Sequence, residues 1–179
     1  MIHLTLDLLS DPQSRNTVLD HLKGGGLLIY PTDTIYGLGG DARLPSVVER
    51  IDRIKNRPAI PYSLALSHAE DLGPLTSDLT PYWPRIRPLL PGPFTFLLPP
   101  SETAPPWLKQ RAPERIGLRC PDFHGAIRDL LAASSCPWIS TSVNAHGQNP
   151  LNHPEEIRAW VSLQEERGYG PFLFLDGGY

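Results

Sequence analysis

Cysteine is scarce in this sequence, and long apolar runs are missing from it. The 179 residues include two cysteines, Cys120 and Cys136, and each lies in or beside an apolar segment. Two thiols are too few for a disulfide framework, so we expect both to be reduced, as in cytosolic proteins. No apolar run approaches the roughly 18–20 residues of a membrane span, and the first residues do not read as a signal peptide. The sequence therefore predicts a soluble, cytoplasmic protein that does not enter a membrane.

Motifs of several common enzyme classes are also missing. There is no GxxxxGK[ST] or GxGxxG pattern, so neither a P-loop nor a dinucleotide-binding fold is supported. No serine sits in a nucleophile elbow, which argues against a hydrolase of that type. The six histidines have no metal-ligand spacing, so we assign no metal site. A net charge of −3 gives no overall basic character, although a local basic patch stays compatible with it.

What the sequence does contain is an alternation of helix and strand patterns, with its 21 prolines dispersed through the loops. Helices are predicted from Pro12 to the glycines at 24–26, over 45–55, near 124–134 and from Pro154 onward. Strands are predicted at 27–30, 62–67, 93–98, 115–120, 138–142 and 172–176. This alternation predicts an α/β fold with both parallel and antiparallel strands, and no linker divides residues 1–179 into two domains.

Small polar side chains cluster where two predicted strands end. The segment 27–37, LLIYPTDTIYG, brings an apolar run to two threonines and an aspartate, and ISTSVNAHG at 139–147 does the same with hydroxyls and an amide. Ligands of open α/β sheets bind beyond the carboxyl ends of strands. A third strand ends at Arg119, and Lys55 and Arg57 are expected to follow the second helix without facing its apolar stripe. Cations beside hydroxyls and amides suit a polyanion such as a nucleotide triphosphate.

Each of these features also has a purely structural explanation. Pro-Thr-Asp-Thr at 31–34 is compatible with a turn whose side chains satisfy the backbone. Lys55 and Arg57 lie where cations favour the dipole of a helix C-terminus. The hydroxyls of 140–142 are compatible with a simple strand end. Taken alone, the residues predict an α/β protein with an anion-binding cleft.

Five segments follow one another along the chain in a particular order. They are GGLLIYPTDTIYGLGGDA (25–42), Lys55-Asn56-Arg57 as a KxR signature, LLPGPFTFLL (89–98), RIGLRCPD (115–122) and STSVNAHGQNP (140–150) with an SxN signature. In this order they resemble the YrdC-like family of threonylcarbamoyl-AMP synthases. The resemblance implies a twisted, open mixed sheet with a deep electropositive cleft. It also implies a nucleotidyltransferase that makes threonylcarbamoyl-AMP and pyrophosphate from L-threonine, bicarbonate and ATP. A separate transferase machinery then modifies tRNA.

The resemblance assigns roles to particular residues. Threonine binding falls to Thr32, Tyr36, Arg119 and Ser140. ATP binding falls to Lys55, Arg57, Ser142 and Asn144, with Lys55 and Arg57 also acting in catalysis. Magnesium would accompany ATP, bound by phosphates and water without a dedicated protein site.

The sequence departs from the family pattern in two places. Many members have a histidine in the strand after KxR, whereas here His68 lies just past that strand. Members usually continue beyond FLFLDGGY to a Pro-Ser segment that reaches the cleft, so we expect this chain to bind substrates better than it turns them over. The alternatives are a YciO-type paralogue that binds nucleotide or RNA without synthase activity, and the carbamoyl-transfer domain of hydrogenase maturation enzymes. Any binding of tRNA or double-stranded RNA is expected to be weak and salt-sensitive.

Overall fold

The sheet of this protein has eight strands of mixed direction. The computed structural model describes residues 1–56 and 61–178. The strands are β1 (Ile2–Thr5), β2 (Leu27–Tyr30), β3 (Gly37–Gly39), β4 (Ser63–Ala65), β5 (Phe96–Leu98), β6 (Ile116–Arg119), β7 (Trp138–Ser142) and β8 (Phe172–Asp176). Across the described part of the sheet their order is β1-β8-β2-β3-β7-β4-β6-β5. The α/β fold with parallel and antiparallel strands is therefore confirmed.

The helices of the described chain cover both faces of this sheet. They are α1 (Pro12–Lys23), α2 (Pro45–Lys55), α3 (Leu72–Leu75), α4 (Trp83–Ile86), α5 (Pro106–Arg111), α6 (Gly125–Ser134) and α7 (Pro154–Glu166), with 3-10 turns at Leu6–Ser10, Ala69–Asp71 and Arg87–Leu89. No helix among the described residues is both long enough and apolar enough to cross a membrane.

Strand β2 shows why its sequence is apolar throughout. Its four residues are all fully buried, and they alternate between two core clusters on opposite faces of the sheet. Leu27 and Ile29 pack with the apolar stripes of α2 and α7, whereas Leu28 and Tyr30 pack with those of α1 and α6. A strand buried on both faces needs no polar alternation, so a continuous apolar run results.

Strand directions decide which polar loops meet. β2 runs antiparallel to β3, and β3 runs antiparallel to β7, so β2 and β7 point the same way and end at the same edge. β4 runs antiparallel to β7 and parallel to β6, so β6 points the opposite way. The prediction that the polar residues after β2 and at the end of β7 lie together is confirmed. The expectation that Arg119 sits at the same edge by ending its strand is wrong, because Arg119 pairs with Ala65 at the level of Trp138.

The local helix signals are seen in the structure. Asp11 is the N-cap of α1 and accepts a hydrogen bond from Ser14 N at 2.8 Å, with Pro12 at the first helical position. Helix α2 begins at Pro45 and ends at Lys55, and Asn56 follows in the left-handed conformation. The strands predicted at 62–67 and 93–98 are shorter, at three residues each, and β1 and β3 were not predicted.

Glycine is required in β3 because this strand lies very close to β7. A Cβ on Gly39 would overlap the carbonyl oxygen of Ile139, which is backbone and cannot turn away. We expect Gly39→Ala to lower the free energy of unfolding by about 1–3 kcal/mol. Gly125→Ala is the control, since a Cβ there meets nothing within 4 Å and alanine favours helix α6. Urea unfolding that finds both variants equally stable would contradict this explanation of β3.

Candidate functional site

The turn after β2 is built around the hydroxyl of Thr32. Its Oγ1 donates to Ile35 O at 2.7 Å and accepts from Thr34 N at 3.2 Å and Ile35 N at 3.3 Å. The Thr34 hydroxyl lies 3.1 Å from the same oxygen. The structural explanation of Pro-Thr-Asp-Thr therefore holds for Thr32, which closes the turn through its own side chain.

Asp33 differs from the neighbouring threonines because its carboxylate contacts residues outside the turn. Oδ1 lies 3.3 Å from Nη2 of Arg119, and Oδ2 accepts from Asp122 N at 3.0 Å. Both side chains are mostly removed from water, with 11% of Asp33 and 16% of Arg119 exposed. This contact ties the turn after β2 to the segment that follows β6, so two distant parts of the sequence form one wall.

These contacts explain how Arg119 reaches the site from a strand of the opposite direction. Leu118 belongs to one core cluster, so the next residue of β6 projects from the other face of the sheet. The long Arg119 side chain then extends over that face to Asp33. Nε of Arg119 is buried and has no hydrogen-bond partner among the described residues.

A pocket of about 200 Å³ opens beneath this wall. It is lined by Thr32, Ile35, Tyr36, Gly37, Arg119, Ser140, Thr141 and Ser142. All four residues that the sequence analysis assigned to threonine binding are in this set, together with Ser142 from the ATP set. The pocket is smaller than the roughly 300–1,000 Å³ of drug-sized ligand sites, so its size suits a small metabolite.

Lys55 anchors the end of β7 beside the pocket. Its side chain is almost completely buried, with 1% of the residue exposed, and Nζ donates to Ser142 O and Asn144 Oδ1. Ser142 Oγ donates to the same Asn144 Oδ1 at 2.7 Å, and Asn144 Nδ2 donates to Gln148 O at 2.6 Å. The expectation that Lys55 lies beyond α2 is wrong, because it is the last helical residue and points into the protein. Lys55, Ser142 and Asn144 form one hydrogen-bonded network.

Tyr36 lines the pocket and is held by the residues that follow β8. Its hydroxyl donates to Gly178 O at 2.9 Å and accepts from Gly177 N at 2.9 Å, while its backbone N–H donates to Asn152 Oδ1 at 3.1 Å. Burial raises the pKa of the Tyr36 phenol, so it acts as a neutral donor and acceptor. Its ring packs edge-on against Phe174 of β8 at 5.5 Å.

Two residues named in the sequence analysis are not among those that line the pocket in the described part of the chain. Arg57 lies outside the described residues, so its predicted place beside Lys55 stays a prediction. His68 caps a 3-10 turn and lines a different hollow with Arg87 and Arg128. Within the described chain no three His, Cys, Asp or Glu side chains are grouped as metal ligands.

Sequence reasoning missed two residues that shape the pocket. Asp33 was visible within PTDT, but its partner Arg119 could not be inferred without the strand directions. Asn152, which fixes the Tyr36 backbone, lies 116 positions away and has no local signal.

A family model and several known proteins match this chain. The Sua5–YciO–YrdC family model, described as telomere recombination, matches residues 20–166. The chain belongs to this family. A relative named threonylcarbamoyl-AMP synthase, from Pseudoalteromonas atlantica, is 32% identical over 155 residues, which cover 82% of this chain and 79% of the relative. Its name describes a transferase, and the resemblance drawn from the five collinear motifs is confirmed.

Solved structures of family members share the fold. Sua5 of P. abyssi, determined as a complex with L-threonine, superposes with a TM-score of 0.79 at 24% identity and covers 99% of this chain. This chain spans half the length of that Sua5 chain. YciO of E. coli superposes with a TM-score of 0.78 at 26% identity, covering 99% of this chain and 82% of YciO. The fold is thus that of both Sua5 and YciO.

Proposed function

We propose that this protein is an L-threonylcarbamoyladenylate synthase, a nucleotidyltransferase that forms threonylcarbamoyl-AMP and pyrophosphate from L-threonine, bicarbonate and ATP. The observation that supports this most is the pocket in which Thr32, Tyr36, Arg119 and Ser140 meet. A relative of that name at 32% identity supports the same reaction. In this proposal residues 1–179 act as one cytoplasmic domain, and its product passes to a transferase machinery that modifies tRNA.

The pocket offers the groups that an amino acid needs. The Arg119 guanidinium is suited to a carboxylate, because its planar N–H groups match the two oxygens. The hydroxyl of Ser140 can accept from an ammonium group or bond to a side-chain hydroxyl, whereas Thr32 shapes the pocket by closing the turn after β2. The volume of about 200 Å³ leaves ATP to the adjoining surface beside the Lys55–Ser142–Asn144 network, with Arg57 contributing a second cation.

The chemistry needs positioning more than a nucleophilic side chain. The threonine amine attacks bicarbonate and water is lost, giving a carbamate; a carbamate oxygen then attacks the α-phosphorus of ATP and pyrophosphate leaves. Cys120 and Cys136 do not line the pocket, and burial raises the pKa of each thiol to about 11, so both stay protonated at neutral pH. Orientation by hydroxyls and charge stabilisation by Lys55, Arg57 and Arg119 are the contributions we assign to the protein. Magnesium would enter with ATP, bound by phosphates and water.

Pyrophosphate release is the direct test of this proposal. With magnesium and ATP present, we expect release only when both L-threonine and bicarbonate are supplied, because the carbamate must form before the α-phosphorus is attacked. Mass spectrometry should then detect threonylcarbamoyl-AMP in the same mixture. Omitting threonine, or working in degassed bicarbonate-free buffer, provides the controls. Turnover that is equal without threonine would remove the synthase proposal.

A second candidate is a YciO-type protein that binds nucleotide or RNA without making the adenylate. The superposition on E. coli YciO, which covers nearly the whole of this chain, favours it. This candidate predicts nucleotide binding with no threonine-dependent pyrophosphate. A complex with bare tRNA that persists at high salt would also favour it. We expect a synthase of net charge −3 to bind RNA only weakly and in a salt-sensitive way.

A further inference from the structure

The contact between Arg119 and Asp33 is unusual for a largely buried ion pair. Among the residues that the structure describes, Asp33 is the one acceptor within hydrogen-bond distance of the Arg119 guanidinium, and it meets only Nη2, at 3.3 Å. Arginine normally binds a carboxylate through two parallel N–H groups at shorter distances. Here Nε is buried without an acceptor in the described part of the chain. The ion pair therefore satisfies only some of the hydrogen-bond donors of the guanidinium.

The geometry of Asp33 explains why a closer contact does not form. Its second oxygen accepts from Asp122 N at 3.0 Å, which fixes the carboxylate between a backbone group and the arginine. With Oδ2 bound to Asp122 N, Asp33 meets the guanidinium through Oδ1 alone. A buried donor left unpaired raises the free energy of this arrangement. An incoming carboxylate that accepts hydrogen bonds from the guanidinium with both oxygens would remove this free-energy cost.

We propose that Asp33 is an internal competitor for Arg119: it holds the guanidinium and yields it when the carboxylate of an amino-acid ligand enters the pocket. The inference rests on the proposed function for the identity of the ligand. Asp33 is then a positioning residue that limits affinity, because the binding-competent state requires the Asp33 contact to open. The observed dissociation constant is the intrinsic constant divided by the fraction of molecules in which Arg119 is released from Asp33.

Asp33→Asn is the variant that tests this competition. The amide keeps the size of the side chain, and its single oxygen can still accept from Asp122 N; its NH2 group then faces Arg119 and offers the guanidinium no acceptor. We expect the dissociation constant for L-threonine, measured by calorimetry, to fall about five- to tenfold. L-threoninol lacks the carboxylate but keeps the amine and hydroxyl, so its affinity should not increase.

Asp122→Asn is the matched control. It removes one negative charge from the same region, yet its carboxylate pairs with Arg128 at 3.0 Å and does not touch Arg119. We expect its threonine affinity to match that of the unmodified protein. Thermal melts of all variants establish that each is folded. Unchanged or weaker binding of L-threonine by a folded Asp33→Asn variant would overturn the competition, and so would an equal gain with L-threoninol.

A measurement without ligand separates this inference from the proposed function. The Nε–H signal of Arg119 in ¹⁵N NMR, assigned with an Arg119→Lys variant, reports how firmly the guanidinium is held. We expect its hydrogen exchange to accelerate in Asp33→Asn and to stay unchanged in Asp122→Asn. If exchange accelerates only in Asp33→Asn but no variant binds L-threonine, Asp33 does hold Arg119, and the proposal that the ligand is an amino acid is wrong. Unchanged exchange in Asp33→Asn would show that Asp33 does not hold Arg119.

Discussion

Replacing Lys55 by alanine is expected to lower the free energy of unfolding by about 3–5 kcal/mol and to abolish the proposed synthase activity. Lys55 is 1% exposed, and Nζ donates to Ser142 O and to Asn144 Oδ1. The substitution removes a long buried side chain and leaves these oxygens without their charged donor. Since Ser142 lines the pocket, loss of the network should also displace the pocket wall.

Arg53→Ala is the matched control for Lys55→Ala. Arg53 lies in the same last turn of α2 but is exposed, so its loss should change stability by less than about 0.5 kcal/mol. Denaturant unfolding measures both variants, and pyrophosphate release is assayed at a temperature where each remains folded. A Lys55→Ala protein as stable as the unmodified one would show that the Lys55 network contributes little to the fold.

The burial of Lys55 was not predictable from the sequence. Lysine is almost never fully buried, and a lysine at a helix C-terminus is usually explained by the helix dipole. Its burial depends on Asn144, which is 89 positions away and comes close only because β7 ends beside α2. The sequence contained both partners, in the KxR and SxN signatures, but not the distance between them.

The elements that were predicted are those with a strong local signal. β2 and β8 are continuous apolar runs, and α1 has both an N-cap aspartate and glycines at its end. β3 was missed because Gly-Leu-Gly has a low strand propensity. It is a strand because hydrogen bonds to β2 and β7 hold it on both sides. Pairing of this kind depends on distant residues, so local patterns cannot reveal it.

The same limit applied to the candidate site. Polar ends of β2 and β7 were correctly placed at one edge, because both strands had recognisable C-terminal ends. The position of Arg119 depended on the direction of β6, which a short apolar segment does not specify. Arg119 still lines the pocket, because its side chain is long enough to reach Asp33 from the face of the sheet.

Arg119→Gln should weaken L-threonine binding by about ten- to a hundredfold, the second large effect that we expect. Losing a charge-assisted hydrogen bond typically costs about 1.5–3 kcal/mol, which corresponds to that range of affinity. ATP affinity should change much less, because Arg119 lines the pocket that we assign to the amino acid, whereas Lys55 and Asn144 form the network that we assign to ATP. Calorimetric titrations with each substrate measure the two affinities separately.

The control for Arg119→Gln is Arg128→Gln. Arg128 lies on α6, pairs with Asp122 at 3.0 Å and is absent from the pocket lining, so its loss should leave both affinities unchanged. Arg119→Lys adds a second test, because lysine keeps the charge but cannot engage a carboxylate with two planar N–H groups. If Arg119 reads the carboxylate of threonine, lysine should restore only part of the affinity. A loss of ATP binding with threonine binding intact would instead assign Arg119 to a phosphate, and the pocket of Thr32 and Ser140 would then hold part of the nucleotide.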